Sequence, residues 1–159
     1  MKNKVVLITG ASSGIGRSLA VEAARQGALL GIMARNTAAL EETSAMCKAF
    51  GAEVLVVTGD VSREADCKAF VEQAAAHFGR IDVLINNAGI SMRALFLELE
   101  LDVLRRVMDI NFWGTVYCTK YALPHLLKSK GTVAGISSIA GYKGLPARTG
   151  YSASKFAMQ

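Results

Sequence analysis

Close to the end of the 159-residue sequence, the stretch GYSASKFAMQ sets Tyr151 and Lys155 four positions apart, so on a helix their side chains share a face, one turn apart. A phenol beside an ammonium makes an acid-base pair: free tyrosine titrates at about 10, and a neighbouring cation favours its phenolate. Far upstream, TGASSGIG spans Thr9 to Gly16, with Gly10, Gly14 and Gly16 separated by Ala11, Ser12, Ser13 and Ile15, and leads into a helix expected over 17–26. Glycines at this spacing permit a tight turn, let backbone N–H groups approach a pyrophosphate and leave a helix N-terminus facing the anion. A plain glycine turn between strand and helix is one alternative. A P-loop is another, since Gly16, Arg17 and Ser18 match part of its end and Asp60 after a hydrophobic strand could hold magnesium. The P-loop, however, needs a glycine where Ala11 stands, and its lysine is missing.

Positioning such groups requires a scaffold, and the sequence alternates short apolar runs with longer segments of helical period. Strands are predicted at 4–9, 28–34, 53–58, 81–86 and 131–137, each short and continuously apolar, as in a buried parallel sheet. Between them, Leu40, Thr43, Cys47 and Phe50 mark one helix face, and Cys67, Phe70, Val71, Ala74 and Phe78 mark another. The order predicts an α/β fold: one domain over 1–159 built on a doubly wound parallel sheet of Rossmann type with right-handed crossovers. In that fold ligands bind beyond the carboxyl ends of the strands, where the strand order reverses between the first and the fourth. TGASSGIG follows the first strand and NNAG, Asn86 to Gly89, follows the fourth. Asn111 stands out on its own helix, an amide in line with the apolar Leu104, Val107, Met108 and Cys118 and with Thr115. A buried amide needs hydrogen-bond partners, so it either ties helix to sheet or serves the site.

Composition excludes several other classes. The net charge of +5 comes from 18 basic residues scattered along the chain, with no run longer than Arg105-Arg106, so no nucleic-acid partner is expected. That charge fits a phosphorylated small ligand. Cys47, Cys67 and Cys118 lack the paired spacing of zinc or redox motifs and are expected as core residues, with no metal site. The first apolar run, Val5 to Ile8, is too short for a signal peptide, and no stretch approaches the roughly 20 apolar residues of a membrane span. A cytoplasmic protein without a membrane partner is expected. His77 and His125 fall on helices away from every motif, at expected surface positions.

Dinucleotide-binding sheets place an acid about 20 residues past the glycine loop, where it binds the adenosine ribose. Here the second strand ends in Met33-Ala34-Arg35-Asn36, with no carboxylate before Glu41. A guanidinium at Arg35 can pair with a 2′-phosphate, so NADP(H) is expected over NAD(H). A solvated loop charge at Arg35 would leave the choice open.

With TGASSGIG, NNAG and YSASK in that order, the sequence resembles the short-chain dehydrogenase/reductase family in its classical type. The resemblance implies an oxidoreductase that transfers a hydride between NADP(H) and a carbonyl or alcohol substrate. Tyr151 would be its acid or base, and Lys155 would hold the nicotinamide ribose and favour the phenolate. Ser138, 13 residues before Tyr151, would orient the substrate oxygen, with Ser137 pointing away because strand residues alternate faces. Asn111, in the DINFWG segment, would hold a water linking the lysine to solvent. Gly10, Ser12, Ser13, Gly14, Ile15 and Gly16 would take the cofactor phosphates, Asp60 and Val61 its adenine, and Asn87, Ala88 and Gly89 its ribose side, while Asn86 would brace the central strands. Residues 91–99 and 141–149 would border the substrate, and Met92, Phe96, Leu97, Tyr142, Leu145 and Pro146 there favour an apolar or bulky carbonyl compound. Family subunits continue past the Tyr-Lys helix into further strands and a substrate-covering segment, and commonly form homo-oligomers through the helices after strands four and five. The expectation is therefore the N-terminal part of such an enzyme, with the C-terminal strands missing; the alternative is a nucleotide-binding module without turnover.

Overall fold

A computed structural model describes residues 1–159. Five parallel strands, β1 (Val5–Thr9), β2 (Leu29–Ala34), β3 (Val54–Thr58), β4 (Val83–Asn86) and β5 (Thr132–Gly135), form one sheet in the order β3-β2-β1-β4-β5. The order reverses at β1 beside β4, so the loops after these two strands open into the same crevice.

Central β1 shows why the sheet has helices on both sides. All five of its residues are buried, and their alternation divides the core. Val5 and Leu7 join Phe70, Val71, Ala74, Cys118 and Ala122 on one face, while Val6 and Ile8 join Ala20, Ala23, Ala24, Leu40 and Cys47 on the other. The second face is closed by α1 (Gly14–Arg25) and α2 (Thr37–Lys48), the first by α3 (Glu64–Phe78) and α5 (Gly114–Ser129). Asn36 caps α2, its side-chain oxygen accepting from Ala39 N–H at 3.1 Å.

Three details depart from the sequence reading. The helix expected from residue 17 begins at Gly14, so the last glycines of the loop form the first turn of α1. Phe50 lies beyond the end of α2 and is 52% exposed, because the helix stops at Lys48, two residues before the apolar pattern suggests. The long segment carrying Asn111 is not one regular helix: α4 (Leu101–Met108) passes through a five-residue π turn, Asp109–Trp113, into α5. The chain ends in α6 (Thr149–Ala157), which packs against α4. No helix is long and apolar enough to cross a membrane.

Candidate active site

The glycine loop is shaped by close approach to the segment after β4. Gly10 adopts a left-handed φ of +67°, and a Cβ there would come within 2.7 Å of Ala88 Cα. A Cβ on Gly16 would overlap the Gly10 carbonyl and the Asn87 amide. Thr9 Oγ1 accepts the N–H groups of Asn87 at 3.1 Å and Ala88 at 3.0 Å, while Asn87 Nδ2 donates to the carbonyls of Thr9 at 2.9 Å and Gly10 at 3.1 Å. These bonds lock the two crevice loops together. Asn87 thus braces the loops, and Asn86, expected to brace the central strands, is buried outside the cleft and ties β4 to α5 by donating to Thr119 Oγ1 at 2.9 Å. A second brace has no signal in the sequence beyond a cation after the loop: Arg17 donates to the Ser12 carbonyl at 2.6 Å, the Ala39 carbonyl at 3.2 Å and Thr43 Oγ1 at 3.0 Å, joining the loop to α2.

Above these loops runs one cleft of about 1020 Å³. The glycine loop contributes Gly10, Ser12, Ser13, Ile15 and Gly16 to its wall, and the ends of β2 and β3 contribute Arg35, Asn36, Asp60 and Val61. Asn87, Ala88 and Gly89 continue the wall toward Tyr151 and Lys155 at the far end. Three expected site residues lie outside it. Gly14 serves the backbone turn, with φ +53°, Asn111 is buried behind the wall, and Ser138, partly exposed, stands next to the lining residue Ser137. Ile90, Ser91, Ile136 and Ser137 also line the cleft; only Ser91 was placed at the substrate border beforehand.

Asn111 is fully buried, and the π turn aims its amide at the loop after β4. Its Oδ1 accepts Ile90 N–H at 2.8 Å, and its Nδ2 donates to the Ile90 carbonyl at 2.9 Å and to Ser154 Oγ at 2.9 Å. The side chain therefore splints Gly89-Ile90 to α6; a Cβ on Gly89 would lie 3.2 Å from Asn111 Oδ1 and 3.6 Å from Lys155 Nζ.

Lys155 is 5% exposed and pairs with no carboxylate; its Nζ donates to the Ile136 carbonyl at 2.7 Å and lies 5.9 Å from the centre of the Tyr151 ring. Burial disfavours the ammonium and pushes its pKa below the ordinary lysine value.

The serine pair departs from the expected arrangement. β5 ends at Gly135, so the strand alternation meant to turn Ser137 away does not apply there, and Ser137 lines the cleft. Ser138 Oγ accepts Ala140 N–H at 3.1 Å, capping the short turn Ile139–Gly141, with its own proton still available to donate. At the other end of the cleft, Arg35 Nη1 stands 3.9 Å from Asp60 Oδ2, a carboxylate absent from the linear reading of strand two. Asp60 Oδ1 is already engaged, accepting from Ser62 N–H at 3.0 Å and Ser62 Oγ at 2.9 Å.

A doubly wound sheet with a glycine cradle at its reversal point, and one cleft leading from it to a lysine-tyrosine pair, defines a dinucleotide-binding fold of the oxidoreductase type. The chain belongs to the short chain dehydrogenase family, whose sequence model matches residues 4–159. An 11-beta-hydroxysteroid dehydrogenase-like 4A of Arabidopsis thaliana is 46% identical over 160 residues, covering 99% of this chain and 54% of that protein. An 11-beta-hydroxysteroid dehydrogenase A of Arachis hypogaea is 47% identical over 157 residues, covering 98% of this chain and 45% of that protein. The chain spans about half the length of the curated relatives it matches. Among solved structures, an alcohol dehydrogenase from the archaeon Thermococcus sibiricus, complexed with 5-hydroxy-NADP, superposes with a TM-score of 0.96 at 30% identity, over 99% of this chain and 67% of that one. A short chain dehydrogenase/reductase from Burkholderia phymatum, in complex with NAD, gives a TM-score of 0.94 at 32% identity, over 98% of this chain and 56% of that one.

Proposed function

We propose that the chain carries the cofactor-binding and proton-transfer machinery of an NADP(H)-dependent oxidoreductase that interconverts a carbonyl compound and an alcohol. One observation carries the reading: a single cleft joins the glycine cradle to Tyr151 and Lys155. The cradle suits a pyrophosphate: Gly10 and Gly16 let the loop pack against Ala88 and Asn87 where a side chain would clash, and the loop passes directly into the N-terminus of α1 beside the cleft. When bound, the nicotinamide supplies the hydride to the carbonyl carbon, or accepts it from the alcohol. Tyr151 gives its phenolic proton to the substrate oxygen as the C=O electron pair moves onto it, and takes that proton back in the reverse direction. Lys155, anchored on the Ile136 carbonyl beside the ring, favours the phenolate and would hold the nicotinamide ribose. Ser138 turns its remaining donor to the substrate oxygen and fixes the approach angle. Asn111 holds the wall that Lys155 and Gly89 share; both of its Nδ2 protons go to Ile90 and Ser154, so a water at this position would be held by its oxygen atoms.

Cofactor choice rests on Arg35. It is more than half exposed, and its ion pair with Asp60 stands at the outer limit of contact, so the guanidinium remains able to take a 2′-phosphate bidentately. Three unpaired, buried cysteines suit the reducing cytoplasm. Trp113, Leu123 and Leu127, exposed along the π turn and α5, suit self-association of the enzyme through this face.

Thermal-shift titration with NADPH and NADH tests the cofactor assignment. NADPH is expected to raise the unfolding midpoint at lower concentration than NADH, because stabilisation grows with the ratio of ligand concentration to its dissociation constant from the folded state. No shift with either would contradict a competent site, and a larger NADH shift would contradict the role of Arg35.

A further inference from the structure

One cation beside Tyr151 has no role in the chemistry above. Arg148, half-buried immediately before α6, donates through Nη1 to the hydroxyl of Ser91, a residue of the cleft wall. Its Cζ lies 5.8 Å from the centre of the Tyr151 ring, nearly the same distance as Lys155 Nζ at 5.9 Å. The tyrosine therefore has two cations within 6 Å of its ring centre. The backbone holds Arg148 there: Ala147 adopts a left-handed φ of +60°, and its carbonyl accepts Ala94 N–H at 2.9 Å. A non-glycine residue in that conformation persists only where its surroundings over-determine it.

Arg148 forms no ion pair. Asp102, in the helix packed against α6, is paired with Arg105 at 2.8 Å; of the other charges in the two flanking loops, Arg93 and Lys143 are cations, and Glu98 forms no ion pair with Arg148. With one N–H on a hydroxyl, the rest of the guanidinium fork has no protein partner, and that fork matches a carboxylate. Phe96, Leu97, Ile139 and Tyr142, all exposed in the surrounding loops, offer apolar surface for the remainder of a ligand.

We propose that Arg148, with Ser91, recognises a carboxylate on the substrate, so that the chain acts on an oxo acid and its hydroxy acid, with the carboxylate a few bonds from the reacting carbon. This rests on the assignment of Tyr151 as the proton-transfer group. The acid contributes specificity and orientation; hydride and proton transfer proceed as described above.

Phenylalkyl oxo acids, with one to three bonds between ketone and carboxylate, are compared with their methyl esters on the wild type, Arg148→Gln and Arg148→Lys. With saturating NADPH, the acid-to-ester ratio of kcat/KM is expected to be at least about tenfold in the wild type and to fall within about twofold of unity in Arg148→Gln, with partial recovery in Arg148→Lys. General damage to the fold lowers both substrates together and leaves that ratio in place. A ratio unchanged in Arg148→Gln, or a wild-type preference for the ester, overturns the proposal. If the wild type binds NADPH but reduces neither compound, calorimetry on the NADP⁺-loaded chain reads the same pairs. The acid should then bind the wild type at least about tenfold more tightly than Arg148→Gln, and equal affinities overturn the proposal. Absence of NADPH binding overturns both this proposal and the function it rests on, and is seen before any oxo acid is added.

Discussion

Lys155 is a buried cation without an anion, and its surroundings determine how pH acts on it. Desolvation lowers its pKa in the folded chain, so just below the ordinary value of 10.5 the unfolded chain keeps a proton that the folded chain has released. Through that window, stability contributed by this group rises with pH. Lys155→Met removes the dependence and stabilises the fold at neutral pH by about 1 kcal/mol, while losing proton transfer. Urea unfolding of both proteins at neutral and alkaline pH reads the sign; a wild type whose stability relative to the variant falls on alkalinisation contradicts it. The lysine and its tyrosine were legible in the sequence because their relation is local, one helical turn. The hydrogen bonds of Asn87 were not, because they are made to Thr9 and Gly10, 78 and 77 residues away. Ser137 was misread for a related reason, since its orientation follows from where β5 ends rather than from strand alternation.

At the scale of elements, the five strands and their connecting helices follow the sequence reading closely, since apolar period and length distinguish buried strands from amphipathic helices. What the period could not show is the π turn between α4 and α5, which interrupts a pattern that continues on either side of it. That turn points Asn111 into the loop after β4. Nor could linear spacing show that Cys67 and Cys118 become neighbours between α3 and α5, where the hydrogen-bond contact with Cys67, and then burial, raise the Cys118 thiol, and the Cys67 thiol donates to the Val61 carbonyl at 3.3 Å. The joint between the loops after β1 and β4 can be probed directly. Thr9→Val keeps shape but deprives the Asn87 and Ala88 N–H groups of their shared acceptor, so a cost of about 2 kcal/mol is expected, together with weaker cofactor binding. Chemical denaturation and cofactor titration check it; a variant as stable as the wild type would mean that water satisfies these groups equally well.

Across the whole molecule, the two ends of the sheet have different duties. The carboxyl end opens into the cleft, and the amino end is fastened by Asp82, 2% exposed, which accepts from Val5 N–H at 3.0 Å, Arg80 Nε at 3.0 Å and Lys4 Nζ at 3.3 Å. Burial works to raise the Asp82 carboxyl, and the bonds from Arg80, Val5 and Lys4 outweigh it, holding the pKa below 3.8. The sign is opposite to that of Lys155: this stability is present above the ordinary aspartate value and is lost as pH falls through the lowered one. Asp82→Asn is expected to cost about 2 kcal/mol at neutral pH and to leave the cofactor dissociation constant within about twofold, as urea unfolding and NADPH titration would show. A large loss of cofactor affinity would contradict the separation of the two ends. The central claim concerns the other end, that Tyr151 is the proton donor for hydride transfer in this cleft. It is tested by following NADPH oxidation with a panel of ketones and oxo acids, for the wild type beside Tyr151→Phe, with cofactor affinity measured for both. The account predicts turnover in the wild type, a loss of at least about 100-fold in the variant and NADPH dissociation constants within about threefold of each other; equal rates in the two proteins, or none in either, would contradict it.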